Sequence, residues 1–200
     1  MYGIYDGSKV IAKFTVPMSW KSNVPVFAAD ALSLRRLTAK RAAQRWELTT
    51  NLEPLRESAN ELFSLLVDKG NWAPIQIIVP QNFGAKKNLT NTNSNVLATG
   101  TSGNSNITIS SANGKIPVGT MVRFLNHSKL YMIKSTVETS GNTTSATLHP
   151  NLIANVTSEQ MFHKDNLVAN MIMDTDFIPG MVYDDGILME IKNITLLEAL

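Results

Sequence analysis

The stretches GILMEIKNITLLEAL (Gly186–Leu200) and NLVANMIMD (Asn166–Asp174) decide the fold. Both are too apolar to be loose ends, and both have strand character, with no helix of their own. Two apolar strands of this kind need a sheet to complete. The segment before them is built differently, so their natural partners lie in the first eighty residues. The expected organisation is a discontinuous host domain, 1–82 with 165–200, and a second module, 83–164, inserted between its halves. Insertion at a loop of a host sheet is mechanically easy, because the chain ends at such sites lie close together.

The inner boundary is compositional. From Asn82 to Asn106, NFGAKKNLTNTNSNVLATGTSGNSN is dominated by Asn, Thr, Ser and Gly, and reads as a linker or a turn-rich entry. Beyond it, ITIS, TMVRFLN, KLYMIKSTV, SATLHP and NLIANVT are strand-length runs separated by Gly/Asn turns. That rhythm predicts a small barrel or sandwich.

In the first part, residues 1–34 read as extended and irregular, with a strand in KVIAKFTV (Lys9–Val16) stopped by Pro17. QRWELTT alternates, Trp46 and Leu48 to one side and Arg45, Glu47 and Thr49 to the other, as in a half-buried strand. NLEPLRESANELFSLLVDKG predicts a helix over 51–70, with Asn51 as N-cap, Pro54 in the first turn and Gly70 as terminator. Its stripe of Leu55, Ala59, Leu62, Phe63 and Leu66 is expected to form the helix core against one face of the host sheet. PIQIIVP (Pro74–Pro80) is a short strand ended by its prolines. The fold class is therefore mainly β: a β-sandwich with one α-helix, plus an inserted small β-barrel.

Composition narrows the function. A net charge of +2 gives little long-range steering, so anion binding would have to be local. With no cysteine, thiol catalysis, disulfides and cysteine-based zinc sites are excluded. The opening MYGIYDGSKVIAKF lacks a basic region followed by an apolar run, and no stretch has the roughly 18–20 apolar residues of a spanning helix. A soluble protein made in the cytoplasm, without membrane contact, is expected.

Five of the 18 Lys and Arg residues fall between Arg35 and Arg45: Arg35, Arg36, Lys40, Arg41 and Arg45. Nucleic-acid binding would call for aromatics on the face of the cations or a recognition helix, and Trp46 falls opposite Arg45. A solvated face or a subunit contact is the better reading, since Arg forms bidentate pairs and stacks at protein interfaces. His127, His149 and His163 are too widely spaced for a metal motif and read as turn or surface residues. Asp174, Asp176, Asp184 and Asp185 lack the alternation of a calcium loop and read as a connection between the last strands. No serine has an evident His and Asp partner. Trp20, Trp46 and Trp72 avoid the inserted module, where a stacking function would place them, and Phe124 and Tyr131 read as its core or rim. Met171, Met173, Met181 and Met189 suit core packing. No catalytic residue, cofactor or metal is expected.

In order, AQRWELTTNLEPL with its helix and PIQIIVPQ, then FLNHSKLYMIK (Phe124–Lys134), TLHPNLI (Thr147–Ile153), NLVANMIMDTDF (Asn166–Phe177) and NITLLEAL (Asn193–Leu200), resemble the distal tail proteins of siphophages, nearest the short T5-like form. The resemblance spans about 35–200; residues 1–34 depart from it. It implies a β-sandwich with a helix, interrupted by an oligonucleotide-binding-fold (OB-fold) barrel. It further implies a non-enzymatic virion protein of the tail tip or baseplate, forming a six-fold homo-oligomeric ring between the tail tube protein and the hub or tip protein. Tail fibre or collar proteins are possible neighbours of the barrel, and DNA is passing cargo. The basic stretch would then be ring contact or lumen surface. The alternative is an OB-fold nucleic-acid-binding or scaffold module outside a virion.

Overall fold

A computed structural model describes residues 2–30, 36–40, 44–69, 72–80, 96–110, 116–139, 143–162, 167–174, 181–184 and 187–200. Its elements are β1 (Gly3–Tyr5), β2 (Val10–Asn23), β3 (Val26–Asp30), β4 (Arg36–Lys40), β5 (Arg45–Pro54), α1 (Ala59–Lys69) and β6 (Ile75–Ile78). Then come β7 (Leu97–Gly100), β8 (Asn106–Ser110), β9 (Met121–Phe124), β10 (Leu130–Thr139), β11 (Thr143–His149) and β12 (Val156–Phe162). β13 (Val168–Met173), β14 (Met181–Asp184) and β15 (Ile187–Glu198) follow.

Seven strands form one sheet in the order β13-β6-β1-β2-β5-β15-β14, and β13 pairs additionally with β15. Met171–Met173 lie beside Leu196–Glu198 while Val168–Met171 lie beside Ile75–Ile78, so six of the strands make a closed circuit with β14 outside it. Strands from 3–78 and from 168–198 thus share one sheet, and 97–162 form the barrel. The circuit encloses Ile4, Ile11, Leu48, Leu52, Ile77, Ala169, Met171 and Leu196, and α1 adds Leu62 and Leu66. Burying a side chain of this size is worth roughly 1.5–3 kcal/mol, so this shared core is the main bond between the chain's two halves. β1 threads between β2 and β6 so tightly that a Cβ on Gly3 would stand 1.8 Å from the Ala12 carbonyl oxygen.

The barrel closes in the order β10-β11-β8-β7-β12-β9, every pairing antiparallel. It has six strands where the oligonucleotide-binding pattern has five. Alternation fills it: Ile107 and Ile109, Ala146 and Leu148, and Val122 and Phe124 are buried around Tyr131. β7 falls within the Asn/Thr-rich stretch read as linker; its register is set by buried Val96 and Ala98 alternating with exposed Leu97 and Thr99.

Several sequence expectations change. Residues 51–54 are strand, because β5 continues its ladder with β2 as far as Ala12 opposite Pro54, burying Leu52 and Pro54. The helix starts only at Ala59, just after buried Ser58, and the Ser58-x-x-Glu61 spacing is its start signal. Leu55 therefore precedes the helix and is not part of its core stripe; its amide hydrogen-bonds the Ile11 carbonyl at 3.0 Å. Phe63 is 44% exposed: it lies about 100° around the helix from Leu62, and the Leu62–Leu66 stripe faces the core. Pro17 does not stop β2. The ladder jumps from Thr15–Asn51 to Ser19–Thr49, so Val16, Pro17 and Met18 face only Thr50, and the proline occupies a bulge. The first residues are not irregular, since Ile4, Ile11 and Ala12 lie in the core. In the barrel, β12 starts at Val156, beyond most of NLIANVT. Near the end, Met181–Asp184 is an edge strand on β15.

Candidate functional site

The expected basic group is divided by the fold. Arg35 and Arg41 lie outside the described residues. Arg36 and Lys40 are the first and last residues of β4, which pairs with β3 in a separate two-stranded ribbon. Arg45 opens β5, exposed, with Trp46 buried behind it as the alternation predicts. Among the histidines, His163 lies outside the described residues. His127 sits half-buried in a turn, hydrogen-bonded to the Tyr131 hydroxyl at 2.8 Å and to Asn126 Oδ1 at 2.6 Å. Burial, with the nearby Arg123 charge, lowers its pKa from the usual histidine value, and burial pushes the Tyr131 phenol up to about 12. His149 meets Ser22 at 2.9 Å. Among the described residues no three His, Cys, Asp or Glu side chains could hold a metal ion.

The densest polar chemistry lies elsewhere, where the barrel meets the sheet. The wall formed by β9 and β10 is apolar on both sides. Val122, Phe124, Tyr131 and Ile133 enter the barrel core, whereas Met121 and Leu130 belong to the core of the sheet, with Met132 packed against it. A strand covered on both faces reads as an unbroken apolar run, which explains LYMI (Leu130–Ile133).

At the edge of this contact the Lys129 and Glu198 side chains, each 1% exposed, form an ion pair between Lys129 Nζ and Glu198 Oε2. Lys129 Nζ also donates to the Gln44 carbonyl at 2.7 Å and to Gln44 Oε1 at 2.8 Å. Glu198 accepts from the Leu130 amide at 2.6 Å and the Trp46 amide at 3.2 Å. The Trp46 indole donates to the Leu130 carbonyl at 3.0 Å. Every donor of the ammonium and both oxygens of the carboxylate are therefore engaged, the condition under which a buried pair is tolerated. Burial pushes the Lys129 ammonium below the usual lysine range; Glu198 opposes this by charge and hydrogen bond, and Arg45 adds to the lowering.

Trp46 extends the cluster. It stacks on Trp20 with ring centroids 6.0 Å apart, and His149 meets it edge-on, also at 6.0 Å. Gln44 Nε2 donates to Ser22 Oγ at 3.1 Å, and Ser22 holds His149. The junction thus draws on β2, Gln44 and β5, Lys129 and β10, the end of β11 and the end of β15. Its one hydroxyl–imidazole contact, Ser22 Oγ to His149 Nε2, is also held by Gln44. The junction joins side chains and backbone of the barrel to those of the sheet through buried hydrogen bonds.

Sequence reasoning passed over Lys129, Glu198 and Gln44, yet two of them carried a signal. Glu198 continues the inward parity of Ile194 and Leu196, and Gln44 that of Trp46 and Leu48. A polar residue at an inward position demands a partner. No family model matches the chain, and the comparison with curated proteins returns no relative.

Proposed function

We propose that the protein is a structural component of a bacteriophage tail tip or baseplate. Its copies assemble into a six-fold ring that joins the tail tube to the hub or tip complex. The observation that carries this reading is the architecture: a closed sheet with one helix, built from both parts of the chain, holds an inserted barrel through a buried, fully hydrogen-bonded ion pair. A barrel locked at one angle suits a part repeated around an axis, where a small error per copy would accumulate. The order of sequence segments that resembles siphophage distal tail proteins supports the same role. In the ring, the host sheet supplies the contacts and the barrels project toward fibre or neighbouring tip proteins. The role is non-enzymatic, the location is the virion, and DNA passes through without being read.

A nucleic-acid module outside a virion would present aromatic rings from its barrel. Here Phe124 and Tyr131 are buried, and Phe162 is half-buried under Arg123, 5.0 Å from guanidinium carbon to ring centroid. Native mass spectrometry and negative-stain microscopy of the purified chain, over a concentration series, test the proposal. Closed rings of one stoichiometry are the expected result. A monomer at every concentration, or tight binding to single-stranded oligonucleotides, would refute it.

A further inference from the structure

Three reactive groups meet out of solvent where the barrel joins the sheet. Lys129 immediately precedes β10, Glu198 ends β15, and Gln44 stands just before β5. All three are buried, Gln44 at 5% exposure and the other two at 1%. An amine, a primary amide and a carboxylate in one dry contact are the parts of an amide exchange. They supply a nucleophile, an acyl group with a leaving nitrogen, and a base.

The geometry assigns the roles. Lys129 Nζ lies 2.8 Å from Gln44 Oε1. With a C=O bond of about 1.23 Å, the amide carbon then stands no more than about 4 Å from Nζ, near the roughly 3–3.5 Å from which such groups react. The Gln44 backbone carbonyl accepts from Nζ as well, at 2.7 Å, and ties the amine to the same residue. Glu198 Oε2 touches Nζ directly, and the carboxylate is held by the Leu130 amide at 2.6 Å and the Trp46 amide at 3.2 Å. Gln44 Nε2 instead donates to Ser22 Oγ at 3.1 Å, and Ser22 is exposed. The amide thus offers its oxygen to the amine and its leaving nitrogen to a residue that opens on solvent. Burial pushes the Lys129 ammonium below the usual lysine range, which makes the neutral amine easier to reach.

We propose that Lys129 and Gln44 join in an isopeptide bond, with Glu198 as the base. The Lys129 ammonium passes a proton to Glu198 Oε2, and the freed lone pair of Nζ attacks Gln44 Cδ. The bond from Cδ to Nε2 then breaks. Nζ gives up two protons in all and Nε2 takes both, so ammonium departs past Ser22 and Glu198 returns to the carboxylate. No oxidant or second substrate is consumed. Exclusion of water keeps hydrolysis from competing, and release of ammonium into solvent makes the step one-way. The product ties the start of β10 to the start of β5 covalently, a brace across barrel and sheet in a chain that has no cysteine for a disulfide. The bond does not depend on assembly into a ring.

Mass spectrometry of the full-length protein, fresh and after ageing, tests the proposal. The intact mass should fall by one molecule of ammonia. Trypsin should release a branched peptide in which Ala42–Arg45 is joined through Gln44 to Phe124–Lys134, with no cleavage after Lys129. Lys129→Arg should abolish that peptide. Glu198→Gln should slow its formation about 100-fold or more, the usual share of a general base. The parent's own peptides decide the matter even where a variant does not fold. An aged parent that yields only linear peptides around Gln44 and Lys129 would overturn the proposal, as would ammonia loss mapped elsewhere in the chain. Loss of water with Lys129 joined to Glu198 would also overturn it, by making the carboxylate the acyl partner, and so would an undiminished rate in Glu198→Gln.

Discussion

Replacing Lys129 by Met keeps the stem of the side chain and removes its charge. Glu198 would retain the Leu130 and Trp46 amides but lose its cation, and both Gln44 acceptors would lose their donor. Breaking a buried pair from one side costs about 3–5 kcal/mol. That is a large part of the 5–15 kcal/mol total typical of a folded domain. Removing both charges, as Lys129→Met with Glu198→Gln, leaves no unpaired charge in the interior, at the cost of one backbone amide's acceptor. The double variant should therefore lie closer to the parent than Lys129→Met does. Urea unfolding followed by tryptophan fluorescence suits the test, since Trp20 and Trp46 stack within the junction. If the pair locks the barrel to the sheet, Lys129→Met should also split the transition, with the Trp signal changing before the barrel melts. A loss below about 1 kcal/mol with one unbroken transition would refute the assignment.

On α1, Leu62→Ala should cost about 2–5 kcal/mol, the range for a buried leucine, and Phe63→Ala under about 1 kcal/mol in the monomer, as suits a half-exposed side chain; thermal melts at low protein concentration compare them. Gly3→Ala would force a methyl group into the Ala12 carbonyl, and should cost at least about 1–3 kcal/mol, with β1 amides losing hydrogen-exchange protection first. For His127 the folded pKa is depressed, so its contribution to stability is present above the free histidine value of ~6.5 and is lost as pH falls through the lowered pKa. Melting temperature measured from pH 7.5 down to 4.5 should fall in that window, and a His127→Asn variant should show a shallower slope.

Much of the architecture could be read from the chain because its signals are periodic. Apolar terminal strands and an Asn/Thr-rich break locate the host sheet and the insertion without any contact being known. The expected helix start at Asn51 differs from the observed one because Asn51 and Pro54 are good local start residues, yet β2 offers the same segment a ladder, and tertiary pairing overrides propensity. Phe63 is a separate case: it borders the Leu62–Leu66 stripe, where helical spacing alone does not decide between core and solvent. The Lys129–Glu198 pair was illegible as a pair: 69 residues separate its members, and no local pattern links them. What could be seen was each strand's inward parity, which marks Glu198 as needing a partner without saying which.

The closed circuit of strands also sets an order of assembly. Thr195 meets Thr49 across 146 residues, whereas the barrel's pairings all lie between 97 and 162. On the ribosome, the barrel can form as soon as β12 has emerged, while β5 still waits with one edge bare for β15. A folded barrel holds its own two ends close, which shortens the effective loop that β15 must close; the entropic cost grows only with the logarithm of that loop's length. An insertion that folds first would thus act as a clamp on the two halves of the host sheet. A mutation that delays the barrel leaves nascent chains with open sheet edges, the state from which aggregation starts.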